Sequence, residues 1–183
     1  EHSQKVDGSA IGTSCYKGLA DVAMYQGQMK EAKEYYDKAI NVAKLLDEPK
    51  KTNELAAIYV SLGNYYNNNN EFQKAIDVVQ QAYGIYILKK SPNKNIALGN
   101  IGSFHNRLGN YDSAIWYYQQ IPRDGNNITS EAINDYNIAI IYQNLSMHDS
   151  AMFYYKRAYD VFEQTDNKRG QSGSLHGIAL LFG

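Results

Sequence analysis

Cysteine is nearly absent: Cys15 stands alone among 183 residues, so no internal disulfide can staple the fold. A single cysteine fits a reducing compartment and also a bacterial extracytoplasmic protein. Of the two, the extracytoplasmic (periplasmic) location is the favoured expectation. Proline is scarce too, with only Pro49, Pro92 and Pro122. Long stretches therefore lack the residue that breaks helices, and the three prolines mark where helices should end. No apolar run approaches the ~20 residues of a membrane span, which excludes membrane insertion by this segment. Neither sign of charge dominates, with 18 Lys and Arg against 19 Asp and Glu and a net charge of −1. Nucleic-acid binding normally needs a basic stripe, and this balance gives no case for one. The chain opens on Glu1 rather than Met, so it is expected to be a mature form or a piece of a longer polypeptide.

What the sequence does contain is a repeat. Ala20 is followed by Ala32, Gly63 by Ala75, Gly102 by Ala114 and Ala139 by Ala151, each time twelve residues later. A fifth first half appears at Ile178-Ala179. The residue before each first small position is apolar: Leu19, Leu62, Ile101, Ile138 and Ile178. Steps between repeats are 43, 39, 37 and 40 residues. A fixed spacing inside each unit and a variable one between units fit a packed helix hairpin whose connections can lengthen freely. Small residues at the fixed spacing let two backbones approach. The 17 tyrosines cluster at repeat positions, where their plainest role is to fill space between helices.

These residues resemble the tetratricopeptide repeat (TPR) family. The bulky slot four before the first small residue holds Tyr16, Tyr59, Leu98, Asp135 and Leu175, and the aromatic slot three after it holds Ala23, Tyr66, His105, Tyr142 and Phe182. Four after the second small residue come Tyr36, Val79, Tyr118 and Tyr155; seven after it come Ala39, Ala82, Ile121 and Ala158. The turn slot holds Gly27, Asn70, Gly109 and Ser146. Asp135 and His148 depart most and make the fourth repeat the least regular. The resemblance implies an all-α fold, a right-handed α-solenoid of antiparallel helix hairpins with about four and a half units. Repeats fall near 13–46, 56–89, 95–122 and 132–165, with a half-repeat at 172–183, in a single domain over 1–183.

The spacing predicts helices over 9–26, 29–46, up to 68, 72–89, 95–108, 111–120, up to 145, 149–163 and from about 169. Asn67 to Asn70 reads as a turn and 122–127 as the longest loop. Thr129 or Ser130 is the expected cap of the seventh helix, with Glu131 in its first turn. Val6-Asp7-Gly8-Ser9 resembles the connection at Asp166 to Gly170 and reads as the tail of an earlier one. The last half-repeat should expose an apolar face meant for a second helix, and Gly183 falls where its turn should be. The native polypeptide is therefore expected to continue, or the fifth hairpin to be incomplete.

No catalytic constellation emerges. His2, His105, His148 and His176 lack metal-ligand spacing, and His105 and His148 fall in aromatic slots as packed or half-exposed rings. Cys15 has no base beside it, only Lys17 two positions on, so it is not read as a nucleophile. Gly99 and Gly102 lie in a helix with no preceding strand and form no phosphate loop. Glu31, Glu34 and Asp37 with Lys30, Lys33 and Lys38 read as a solvated helix face with weak ion pairs. Asn127-Ile128-Thr129 and Asn144-Leu145-Ser146 match glycan acceptors only formally. The chain is not expected to be an enzyme, to need a cofactor or to hold a metal.

What the resemblance implies for function is a concave groove lined by the first helix of each hairpin, which takes a protein or peptide. Its residues would be Lys17, Asp21 and Tyr25; Val60, Asn64, Asn67 and Asn68; Asn100, Ser103, Asn106 and Arg107; Tyr136, Ile140, Gln143 and Asn144; and His176. Amides can both donate to and accept from a peptide backbone. A TPR subclass that grips a C-terminal carboxylate is a poor match: Lys17 fits it, but Asp21 replaces an Asn, and Ala57 and Ser61 offer no cation. Repeats near 40 residues in a Tyr- and Asn-rich style resemble the TPR regions of bacterial signalling proteins. The expectation is a non-catalytic sensor or interaction region. The alternatives are a peptide-controlled regulator acting on a response regulator and a free-standing extracytoplasmic scaffold. The oligomeric state stays open.

Overall fold

A computed structural model describes residues 10–123, 125 and 127–182. The segment Val6 to Ser9, the expected start of the first helix at Ser9, His2 and Gly183 lie outside the described residues. So do Asp124 and Asn126 of the loop expected at 122–127. Among the described residues there are nine α-helices and no strand: α1 Ala10–Tyr25, α2 Met29–Ala43, α3 Lys50–Asn68, α4 Phe72–Leu88, α5 Lys94–Arg107, α6 Tyr111–Gln119, α7 Ile128–Asn144, α8 His148–Gln164 and α9 Lys168–Leu180.

One cap geometry stops most of these helices. Gly27, Asn70, Gly109 and Ser146 take φ of 78°, 60°, 75° and 58°. In each case the next residue's N–H returns to a carbonyl five positions back: Gln28 to Ala23, Glu71 to Tyr66, Asn110 to His105 and Met147 to Tyr142. This left-handed close satisfies carbonyls that a helix end leaves open. Lys90 and Asp166 end α4 and α8 in the same way, at φ 51° each, with Ser91 N–H donating to Tyr86 and Asn167 N–H to Phe162.

Two compact units make up the chain, residues 1–104 and 105–183. In the first, α1 pairs with α2 and α3 with α4, and α3 packs against both α1 and α2. Ala20, Ala23, Ala32, Tyr36, Ala39, Ala43, Ile58, Leu62, Tyr65 and Val78 form its buried cluster. The alanines bring the first hairpin's backbones together, and Tyr36 meets Tyr65 of α3 edge-on, with centroids 5.9 Å apart. Each fully buried ring or branched chain is worth about 1.5–3 kcal/mol. A Cβ at Gly63 would collide with Val79, so α3 and α4 touch closely where the small-residue spacing requires.

In the second unit α7 pairs with α8, and α9 lies against α8. Ala139, Ala151, Tyr155 and Leu181 form one buried cluster, and Ala132, Ala158 and Phe162 another. α9 is glycine-rich for a packing reason. A Cβ at Gly177 would strike the Tyr155 ring and one at Gly170 the Phe162 ring, while one at Gly173 would sit 3.2 Å from the Tyr136 hydroxyl. Ser174, Gly177 and Leu181 are buried on that side. Leu175, Ala179 and Phe182, the slots that face a hairpin's second helix in the earlier repeats, are exposed.

Three expectations are corrected. α7 starts at Ile128, so its cap is Asn127, whose side chain accepts from Ser130 N–H at 3.0 Å, and not Thr129 or Ser130. α2 ends at Ala43 rather than 46. Leu45 and Leu46 bond only three residues back, to Val42 and Ala43, which tightens the chain out of the α-helix. His148 is exposed as the first residue of α8 and does not fill an aromatic slot.

Candidate functional site: first-helix amides and their supports

In the first unit the expected groove residues sit on α1, α3 and α5. Lys17 and Asp21 come together as an i,i+4 ion pair at 2.8 Å. Asp21 also accepts from the Tyr36 hydroxyl at 2.5 Å. Burial, and then this bond to a carboxylate, push the Tyr36 phenol far above its ordinary range. The charges of this helix face are thus spent on each other. Tyr25 is 94% exposed at the end of α1. Asn64, Asn67 and Asn68 follow at three- and four-residue spacing on α3, which puts them on one helix face. Asn64 and Asn68 are exposed, and Asn67 is half-buried. Asn67 Oδ1 is buried and has no hydrogen-bond partner. Asn100 and Ser103 are half-buried on α5.

In the second unit Asn106 and Arg107 close α5, half-buried and exposed respectively. Tyr136 on α7 packs edge-on against Tyr155 at 5.7 Å. Gln143 accepts from the Tyr155 hydroxyl at 2.5 Å, and burial with the nearby Tyr136 pushes that phenol up to about 12. Asn144 and His176 are exposed. Gln143 and Asn67 occupy the same repeat slot, four after the first small residue. The fourth repeat supplies a tyrosine hydroxyl there. The second has Val79 in the tyrosine's place, and this accounts for the open acceptor on Asn67.

A cluster that sequence reasoning missed surrounds Asp135. The Asp135 carboxylate is only 2% exposed, and two arginines share it. Arg157 of α8 gives Nε to Oδ2 at 2.7 Å and Nη2 to Oδ1 at 2.5 Å. Arg123, in the connection before α7, gives Nη1 to Oδ2 at 3.1 Å and Nη2 to Oδ1. The Arg157 guanidinium also lies 5.1 Å from the Phe153 ring centre and 4.7 Å from that of Tyr154. The signal was present in the sequence: a carboxylate in a slot that is otherwise bulky and apolar demands a buried counter-charge.

His105 is half-buried and stacks on Tyr117, with centroids 5.3 Å apart and an interplanar angle of 13°. Its Nδ1 is buried without a partner, and burial lowers the imidazole below its ordinary 6.5. Among the described residues no group of three or more His, Cys, Asp or Glu could hold a metal ion. No helix there is long and apolar enough to cross a membrane.

Tetratricopeptide repeat models match residues 13–87 and 136–165. No curated protein matches the chain. BtubC (BKLC) from P. vanneervenii superposes with a TM-score of 0.82 at 19% identity over 99% of this chain and 75% of that one. Aspartyl phosphate phosphatase F from Bacillus subtilis gives 0.86 at 18% identity, over 94% of this chain and 45% of that one. A STAND signal-transduction ATPase with a tetratricopeptide repeat sensor, from Pyrococcus horikoshii, gives 0.81 at 19% identity over 92% of this chain and 26% of that one. The chain thus spans under half of the phosphatase and about a quarter of the ATPase. At such identities the likeness is one of fold, the α-solenoid of antiparallel helix hairpins expected from the sequence. With the two repeat models together matching more than half of the residues, the chain belongs to the tetratricopeptide repeat family.

Proposed function

We propose that the chain is a non-catalytic scaffold that binds a protein or peptide and serves as the sensor or interaction region of a bacterial regulator. The observation that carries this is the uncharged amide face of α3. Asn64 and Asn68 are open to solvent, and the charged residues expected on α1, Lys17 and Asp21, neutralise each other. The exposed Asn64 and Asn68 amides can each donate to and accept from the backbone of a bound segment. Fold likeness to a STAND tetratricopeptide repeat sensor supports a sensing role. Likeness to aspartyl phosphate phosphatase F supports the second reading, a regulator that acts on a response regulator.

The test compares wild type with Asn64→Ala/Asn67→Ala/Asn68→Ala as bait in lysate of the source cell. Alanine favours the helix, and circular dichroism and melting check that the bait stays folded. A partner kept by wild type and lost by the triple variant supports groove binding. One retained equally by both defeats it.

A further inference from the structure

The groove leaves the Asp135 cluster of the second unit without a role beyond holding α7 to α8. Two guanidiniums share one carboxylate, so one positive charge is not compensated by it. Arg123 and Arg157 remain 42% and 37% exposed. A guanidinium carries five N–H groups. Arg157 commits Nε and Nη2 to Asp135 and also bonds the Tyr154 side chain, and Arg123 commits one N–H of each Nη to Asp135, which leaves further N–H groups on both guanidiniums. The buried acid and the Phe153 and Tyr154 rings hold Arg157 in place, so little side-chain entropy remains to be lost when it binds.

Phe153 itself is 57% exposed and stands edge-on to Tyr154, with centroids 5.3 Å apart and an interplanar angle of 88°. In the first unit the same repeat slot holds Glu34 and Asp77, both exposed. The third repeat also holds an exposed ring in this slot, Trp116; what sets Phe153 apart is the Arg157 guanidinium 5.1 Å from its centre. We propose that Arg123, Arg157 and Phe153 form a docking site for an acidic segment of a partner protein. The segment places a carboxylate against the two guanidiniums and an apolar side chain on the Phe153 ring. Charge complementarity selects the acid, and the exposed ring distinguishes a peptide from a bare anion. This surface lies on the second unit and is independent of the α3 amides.

The probe is a blocked peptide alternating Glu with Phe and Leu, set against its Gln counterpart and against inorganic phosphate. Binding is read from the arginine Nε–H and backbone amide NMR signals of the whole chain. The Glu peptide should shift the Arg123 and Arg157 signals, and the Gln peptide should bind about tenfold or more weakly. Arg123→Gln should weaken the Glu peptide by a similar factor, whereas Gln80→Ala, at an exposed position of α4 outside both surfaces, should leave it unchanged. If Arg123→Gln disturbs the α7–α8 signals, Phe153→Ser asks the same question with both charges in place and should also lose binding. No shift at millimolar Glu peptide, equal affinity for the Gln peptide, or equal competition by phosphate would each overturn the proposal.

Discussion

His105 takes a slot that holds Tyr66 in the second hairpin and Tyr142 in the fourth. It stacks as a tyrosine would, but it can gain a proton. Burial keeps the folded imidazole below 6.5, so below that pH the unfolded chain binds the proton more readily than the folded one. The stability contributed by the neutral ring is complete above 6.5 and is lost as the pH falls from there through the lowered folded value. Melting temperature between pH 7.5 and 5 should therefore drop more for wild type than for His105→Phe; parallel curves would refute the assignment. The turns give a second prediction at this scale. Ser146 pays for a left-handed φ that costs an ordinary residue about 1–2 kcal/mol, so Ser146→Gly should gain roughly 1 kcal/mol in urea unfolding. Asn70→Gly should gain less, because Asn tolerates that conformation. Gly27→Ala and Gly109→Ala should each lose about 1 kcal/mol. The sequence showed where these turns lie, because each falls at the same offset from a small-residue pair.

At the scale of the helix, the surroundings decide whether a glycine helps or harms. An interior glycine costs about 0.5–1 kcal/mol relative to alanine. Gly18 and Gly84 have open space where a Cβ would go, so alanine at either should stabilise by about that much. At Gly177 the sign reverses, because the methyl would drive into the Tyr155 ring. Gly177→Ala should cost about 1–3 kcal/mol by overpacking, and chemical unfolding of the three variants would show whether the signs divide this way. Helix positions were legible because the twelve-residue pairs fix where the two helices of each hairpin meet and the three prolines mark the connections between the four hairpins. Helix ends were less so: the close at Leu45 and Leu46 depends on backbone bonding that side chains do not announce, and Asn127 took the cap because α7 begins before the hydroxyl residues. The arginines around Asp135 were not legible either. Their partner lies 12 residues from one and 22 from the other, and only the folded hairpin brings all three together.

Across the whole molecule charge is nearly balanced, and the two candidate surfaces depart from that balance in different ways. Along α1 and α3 the proposed groove residues are the amides Asn64, Asn67 and Asn68, the uncharged Tyr25 and Val60, and Lys17 and Asp21, which bond to each other; Asp21 is further held by Tyr36. A partner read by these amides meets no net field from them, so its affinity should respond little to salt. Around Arg123 and Arg157 a positive charge is left over, and affinity for an acidic segment should fall as salt rises, because half-exposed charges are screened over about 10 Å at 0.1 M. Titrations at 50 and 500 mM NaCl separate the two. The partner lost by the α3 triple variant should keep its Kd within about threefold, whereas the Glu peptide should weaken about tenfold. A groove partner as salt-sensitive as the Glu peptide would mean that charge, and not the amide face, dominates its recognition, and that the pairing of Lys17 with Asp21 does not survive binding.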